Sequence, residues 1–201
     1  NITSSQAVHE MMVDVKKKMP CSKAYWRHLF QDKNIMWKNI YKEKLINVKE
    51  QRIVSFNFKL LHNILATPHK LYVWRLCENE KCHLCFLDGS LEHMMLNCSY
   101  FSKYYENVDA VFKAIGYDNV KLNMYTLICG HKPGIAVYSP LNLILNIVFF
   151  TVYKCWVKIK IDRKYLDPTR TLLEEIQLRC MTSLYNCTLC KTYRDVLYTF
   201  I

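Results

Sequence analysis

The sequence predicts a mostly α-helical protein in which a helical scaffold carries one short Cys/His-rich loop. Three observations carry that prediction. The chain has only 4 glycines and 5 prolines in 201 residues, too few turn residues for a sandwich or barrel. Apolar side chains make up 51% of it and recur every three to four residues in segment after segment, the period of an amphipathic helix. The exception is residues 82–98, CHLCFLDGSLEHMMLNC, where cysteines, a histidine and turn formers crowd together.

In chain order, SSQAVHEMMVDVKKK sets Val8, Met11, Met12 and Val15 at helical spacing behind serine caps, and Pro20 closes it. Helices are expected over Ser22 to Phe30, Asn34 to Asn47 and Lys49 to Leu65, the last presenting Ile53, Val54, Phe56, Leu60, Leu61, Ile64 and Leu65. Thr67-Pro68 is expected to end that helix, and HKLYVWRLC to lead into the cysteine cluster. SYFSKYYENVDAVFKAIGY then forms a helix closed by Gly116. The loop CGHKPG, residues 129–134, is the best internal boundary, dividing residues 1–128 (specific core 56–105) from a helical segment, 129–201, that packs on them. Ser139-Pro140 and Asp167-Pro168 are cap and first-turn pairs, the second opening a last helical stretch towards Phe200.

Between them, LNLILNIVFFTVYKCWVKI (Leu141 to Ile159) imitates a membrane span. It carries Asn142, Asn146, Lys154 and Lys158, and its strictly apolar run falls well short of the ~20 residues a bilayer needs, so a buried helix is expected and no membrane partner. Ten cysteines without a secretory leader are not a disulfide scaffold. The three Asn-x-Ser/Thr matches, at Asn1, Asn97 and Asn186, are read as chance in a cytoplasmic and nuclear protein. A start at Asn1 without methionine suggests a piece of something longer.

The spacing Cys82-x2-Cys85-x7-His93-x4-Cys98 suits a CCHC zinc-binding loop. A cysteine pair two residues apart binds one ion from a tight turn, His93 and Cys98 close a tetrahedron from the far side, and Asp88-Gly89 reverses the chain between them. Thiolates with imidazole favour Zn2+ over hard ions. The competing reading is cysteines packed in a core. Against it, Glu80, Lys81, Asp88, Gly89 and Glu92 leave this segment little apolar surface, and a structural metal would supply the missing stability. Cys77 and His83 are substitute ligands, though His83 is expected to point away. Cys180, Cys187 and Cys190 fall near one helical face and read as core.

Charge is uneven. The chain carries +11 overall, with +8 in residues 1–70, −2 in 71–130 and +5 in 131–201. A basic N-terminal third attracts polyanions: Lys16, Lys17, Lys18, Lys23, Arg27, Lys38, Lys42, Lys44, Arg52 and Lys59 are the candidate phosphate contacts. Tyr25, Trp26, Trp37 and Tyr41 lie close enough in sequence to stack on bases, although the tryptophans read first as core anchors.

FNFKLLHNILAT (56–67) followed by LYVWRLCENEKCHLCFLDGSLEHMMLNCSYFSKYY (71–105) resembles the zinc-binding segment beyond the polymerase in LINE-type, non-LTR retrotransposon reverse transcriptases. Lys59, Leu61, His62, Leu65 and Thr67 fall on the family's Lys-x-Leu-His-x-x-Leu-x-Thr pattern, and Cys82, Cys85, His93 and Cys98 on its ligands. Ala66 stands where proline is common. WRHLF and WKNIY look like the tryptophan-bearing helices upstream, and LNLILNIVFFTVYKCWVKIK like the apolar helix near the polyprotein's end. The resemblance implies a non-catalytic C-terminal segment that binds element RNA and target DNA during target-primed reverse transcription, with the upstream polymerase domain as neighbour. No Tyr-x-Asp-Asp polymerase motif and no Pro-Asp…Glu-x-Lys nuclease motif occurs in the sequence, so no enzymatic activity of its own is expected. The alternative function is an architectural module that docks on the polymerase with little RNA affinity. An independent Cys129/His131 enzyme lacks an orienting acid.

Overall fold

The computed structural model describes residues 22–31, 34–46, 48, 50–131, 140–163 and 165–182. The expected first helix around Val8–Val15, the Lys16–Lys18 run and the stretch from 183 to Phe200 lie outside the described residues. All regular elements among the described residues are helical, as the low turn content and the three-to-four spacing require.

Helix α1, Lys23–Phe30, buries Trp26. The indole Nε1 donates to the Leu61 carbonyl at 2.9 Å, and the Ser22 hydroxyl donates to the same oxygen. Helix α2, Trp37–Tyr41, buries Trp37 and Ile40 and runs directly into a π-helical turn, Lys42–Ile46. The single helix expected from Asn34 to Asn47 is therefore shorter at its start and wider at its end. Helix α3, Gln51–Leu61, buries Ile53, Phe56, Asn57, Leu60 and Leu61, the i, i+3, i+4, i+7, i+8 stripe that seats a helix on a core. It stops four residues before the expected end because Asn63 turns left-handed (φ 52°), and Leu65 is buried beyond it.

Thr67-Pro68 does not end that helix, which has already stopped at Leu61. It starts one: α4, Pro68–Val73, has the Thr67 hydroxyl accepting from the Lys70 amide at 3.2 Å, with proline in the first turn. After the Cys/His loop come a π turn (His93–Asn97), a 3-10 turn (Ser99–Phe101) and α5, Ser102–Ala114, which buries Tyr104, Val108, Val111 and Phe112. Gly116, at φ 84°, ends it. Helix α6, Met124–Cys129, is one the sequence did not announce; the Asn123 side chain caps it through the Thr126 amide at 2.9 Å.

The apolar stretch is a 23-residue helix, α7 (Pro140–Asp162). Its first half is buried on nearly every side, from Leu141 to Val152, because α3, the 93–97 turn, α6 and α8 (Pro168–Thr182) all pack against it. An all-round apolar helix is stable in water only when enclosed in this way. Each large side chain fully buried here contributes roughly 1.5–3 kcal/mol. Among the described residues no helix is long and apolar enough to cross a membrane. Helix α8 opens as expected, the Asp167 carboxylate accepting from the Thr169 amide at 2.9 Å and the Arg170 amide at 3.3 Å. One continuous core draws on α1, α2, α3, α5, α6, α7 and α8 as well as on Cys82, Met94, Met95 and Cys98 from the Cys/His loop.

Candidate metal centre

Cys82, Cys85, His93 and Cys98 converge. Their sulfur and imidazole nitrogen atoms all lie within 4.8 Å of one another. The backbone between the paired cysteines folds into a tight turn, the Phe86 amide donating to the Cys82 carbonyl at 2.8 Å and the Cys82 amide to the Leu87 carbonyl at 2.9 Å. That turn needs a left-handed residue at its end, and Phe86 takes φ 63° there, where glycine is cheapest. On the far side, the Ser90 hydroxyl accepts from the His93 amide at 3.2 Å and donates to the Asp88 carboxylate. This starts the π turn that carries His93 inward. The Ser90 hydroxyl and amide hold the Asp88 carboxyl below its ordinary range.

Gly89 sits where the loop crosses the start of α4. A Cβ on it would fall 1.7 Å from the Glu80 carbonyl oxygen and 2.6 Å from the Pro68 Cβ. The close approach lets the His69 amide reach the Gly89 carbonyl at 3.1 Å, and His69 Nδ1 meets the Glu80 carboxylate at 2.8 Å.

The donor set fits a zinc ion. Zinc bound at about 2.3 Å to sulfur gives tetrahedral edges of roughly 3.8 Å between sulfurs; Cys82 Sγ and Cys98 Sγ stand 3.9 Å apart. Cys85 Sγ and His93 Nε2 are closer, at 3.0 Å. Two sulfurs this near do not both ionise by themselves. The hydrogen bond from Cys98, followed by those from the Leu84 and Cys85 amides, pulls the Cys82 thiol well below its usual value, while Cys98, the donor, is pushed up. A divalent cation removes the conflict by making both thiolates favourable. Cys82, Cys98 and His93 are buried and Cys85 half-buried, an enclosure that suits a closed structural ion rather than a catalytic one with an open position.

Neither substitute ligand joins the group. Cys77 Sγ faces the Asn79 carbonyl at 3.0 Å. His83 turns away to place its ring against Trp156 of α7, centroids 4.6 Å apart; burial keeps that imidazole's pKa low. No second group of three or more metal-ligating side chains occurs among the described residues, and the side chains of Cys180, Cys187 and Cys190 lie outside them.

The basic residues divide. Arg27, Lys38, Lys42, Arg52 and Lys59 are exposed and Lys23 is half-buried, with Arg52 ion-paired to Glu50 at 2.8 Å. Lys44 is a correction. It is only 4% exposed, and its ammonium donates to Asn146 Oδ1 of α7 at 2.9 Å, so it offers no surface contact. The cause is its place in the pattern: Lys44 follows the buried Trp37 and Ile40 by seven and four residues, on the face that seats this segment on the core. Burial lowers the Lys44 pKa to about 8. Trp26 and Trp37 are enclosed in the core and cannot stack on a base. Tyr25 is exposed, and the Tyr41 hydroxyl meets His62 Nε2 at 3.2 Å.

Two features lay outside the sequence reading. One is the His83–Trp156 contact. The other is a ridge of exposed apolar side chains, Tyr72, Val73, Trp74 and Leu76, with Phe86 and Leu87 exposed on the Cys/His loop. Of these, Tyr72, Val73 and Leu76 line a shallow groove with Arg75, Cys77 and Glu78. No protein-family model, no curated protein and no solved structure matches the chain.

Proposed function

We propose that this chain is a zinc-stabilised, non-catalytic nucleic-acid-binding segment, similar in role to the C-terminal region of LINE-type reverse transcriptase polyproteins, that engages element RNA and target DNA. The observation that carries the reading is the convergence of Cys82, Cys85, His93 and Cys98 within 4.8 Å, on the spacing that the resemblance singles out. The +11 charge supports a polyanionic partner; Arg27, Lys38, Lys42, Arg52 and Lys59 are exposed cations that would meet phosphates, and Lys16, Lys17 and Lys18 add to the positive charge of the same third of the sequence. Zinc, when bound, would hold the loop closed; Cys82, Cys85, His93 and Cys98 are the residues that would hold it.

The exposed ridge favours a second reading, a docking module that meets a protein partner such as a polymerase domain. Contiguous exposed apolar side chains mark protein contacts more often than phosphate contacts.

One experiment separates the two. RNA binding is titrated with salt for the wild type, a Lys16/Lys17/Lys18→Gln triple variant and Cys85→Ser. For single strands, log affinity falls by about 0.7 per phosphate contact for each unit of log salt. The triple variant is expected to bind more weakly with a flatter slope, and Cys85→Ser more weakly with the slope kept. No binding at low salt would hand the function to the docking reading.

A further inference from the structure

His83 lies in the two-residue gap between Cys82 and Cys85, so any movement of the cysteine pair moves its ring. That ring meets Trp156 edge-on, with an interplanar angle of 66°. Both imidazole nitrogens are buried without a hydrogen-bond partner, as is Trp156 Nε1. The contact is therefore one of ring against ring, with no polar bond to fix it. Lys160 Nζ also lies over the indole, 5.3 Å from the ring centroid. The far half of the metal cluster touches the same helix: Met94 and Met95, which follow His93, are fully buried in the core, and the 93–97 turn packs on α7. Both pairs of proposed ligands are thus tied to α7, one through His83 and one through the 93–97 turn.

We infer that His83 is a positioning residue that clasps the cysteine pair to Trp156, coupling metal loading of the loop to the seating of α7. An ion that draws Cys82 and Cys85 together fixes the turn between them and with it the His83 ring. Coupling of this kind is reciprocal: if the ion steadies α7, then loosening the clasp weakens ion binding although neither ring touches the ion. The inference rests on the metal reading given above.

The test is zinc affinity, measured on the full chain by competition with a chromophoric chelator, for wild type, His83→Ala and His83→Phe. Losing a residue that supports ligands commonly costs 10–100-fold in metal affinity. His83→Ala is expected to weaken zinc at least about tenfold while still taking up one equivalent, and His83→Phe to recover most of the loss, because ring packing matters and ring nitrogens do not. A ligand role would make His83→Phe as poor as His83→Ala and would overturn the clasp, as would unchanged affinity in both. Hydrogen exchange of the α7 amides in the wild type gives a second readout, which stands even if His83→Ala fails to fold. Zinc is expected to slow exchange around Trp156, and exchange indifferent to zinc would overturn the coupling. A wild type that binds no zinc would instead sink the metal reading itself.

Discussion

The Cys/His loop (82–98) and helix α7 (Pro140–Asp162) lie against one another and are held by opposite means. Helix α7 needs no special chemistry: Leu141, Ile144, Leu145, Ile147, Val148, Phe149 and Val152 are all buried, and its stability is spread over many small contributions. In the loop, on the metal reading proposed above, much of the stability would rest on the four converging donor atoms of Cys82, Cys85, His93 and Cys98. Phe86, Leu87 and Asp88 are exposed, while Cys82, Met94, Met95 and Cys98 enter the core and Leu84, Cys85, Leu91 and Leu96 pack only partly buried against it. Spread stability degrades by increments, whereas concentrated stability fails when one ligand is lost.

The sharpest test of that contrast is a pair of single changes. Cys98→Ser, or chelation of the wild type, is expected to remove the metal and several kcal/mol with it, a fraction of the roughly 10–16 kcal/mol that structural zinc supplies to small peptides. Differential scanning calorimetry would register a fall in Tm of roughly 10 °C or more. Phe149→Ala in α7 should cost about 3–5 kcal/mol through cavity formation yet leave one zinc per chain by elemental analysis. Loss of zinc in Phe149→Ala, or unchanged stability on chelation, would break the contrast.

A smaller effect probes the polar inset in the apolar helix contact, Lys44 against Asn146. Its folded pKa of about 8 lies below the ordinary 10.5. Between those values the unfolded chain binds more protons, so stability rises with pH across that window, and the penalty is fully present below about pH 8. A displacement of this size corresponds to at most about 3 kcal/mol. Lys44→Met is expected to flatten the rise in urea-derived stability between pH 8 and 10.5 relative to wild type. At neutral pH the net change should be modest, because Asn146 Oδ1 loses its donor as the buried charge is removed. Equal slopes in the two proteins would place the lysine's charge in solvent.

The smallest expected effect returns to the loop. Phe86 is left-handed and 73% exposed, so Phe86→Gly relieves backbone strain without emptying a core. A gain of no more than about 1 kcal/mol is expected in chemical denaturation of the zinc-loaded chain. A marked loss would mean that the ring packs in the folded chain.

Much of this was legible in the sequence because the signals were local. The stripe through α3, the Asp167-Pro168 start of α8 and the spacing of the four converging Cys/His residues all depend on residues close in sequence. What escaped depended on contacts distant in sequence. The spacing from Trp37 and Ile40 puts Lys44 on the buried face, but nothing near it names its partner Asn146, about a hundred positions later. Likewise Thr67-Pro68 reads equally well as an end or a beginning until the Lys70 amide finds the threonine hydroxyl. Helix α6 is too short for a period to be counted and is secured instead by the Asn123 cap and by Asn142 of α7, whose Oδ1 accepts from the His131 amide at 2.7 Å.

Gly89 has a consequence for how variation in this chain should be interpreted. Because the obstacle to a Cβ is a backbone carbonyl 1.7 Å away, no rotamer change relieves it, and alanine fails as surely as tryptophan. In a saturation-mutagenesis profile position 89 would stand beside the four proposed ligands as intolerant, and a survey of natural variants ranked by invariance would nominate it as functional. It would hold that rank without touching an ion, a nucleic acid or a partner, purely because two passes of the main chain run too close for anything larger than hydrogen.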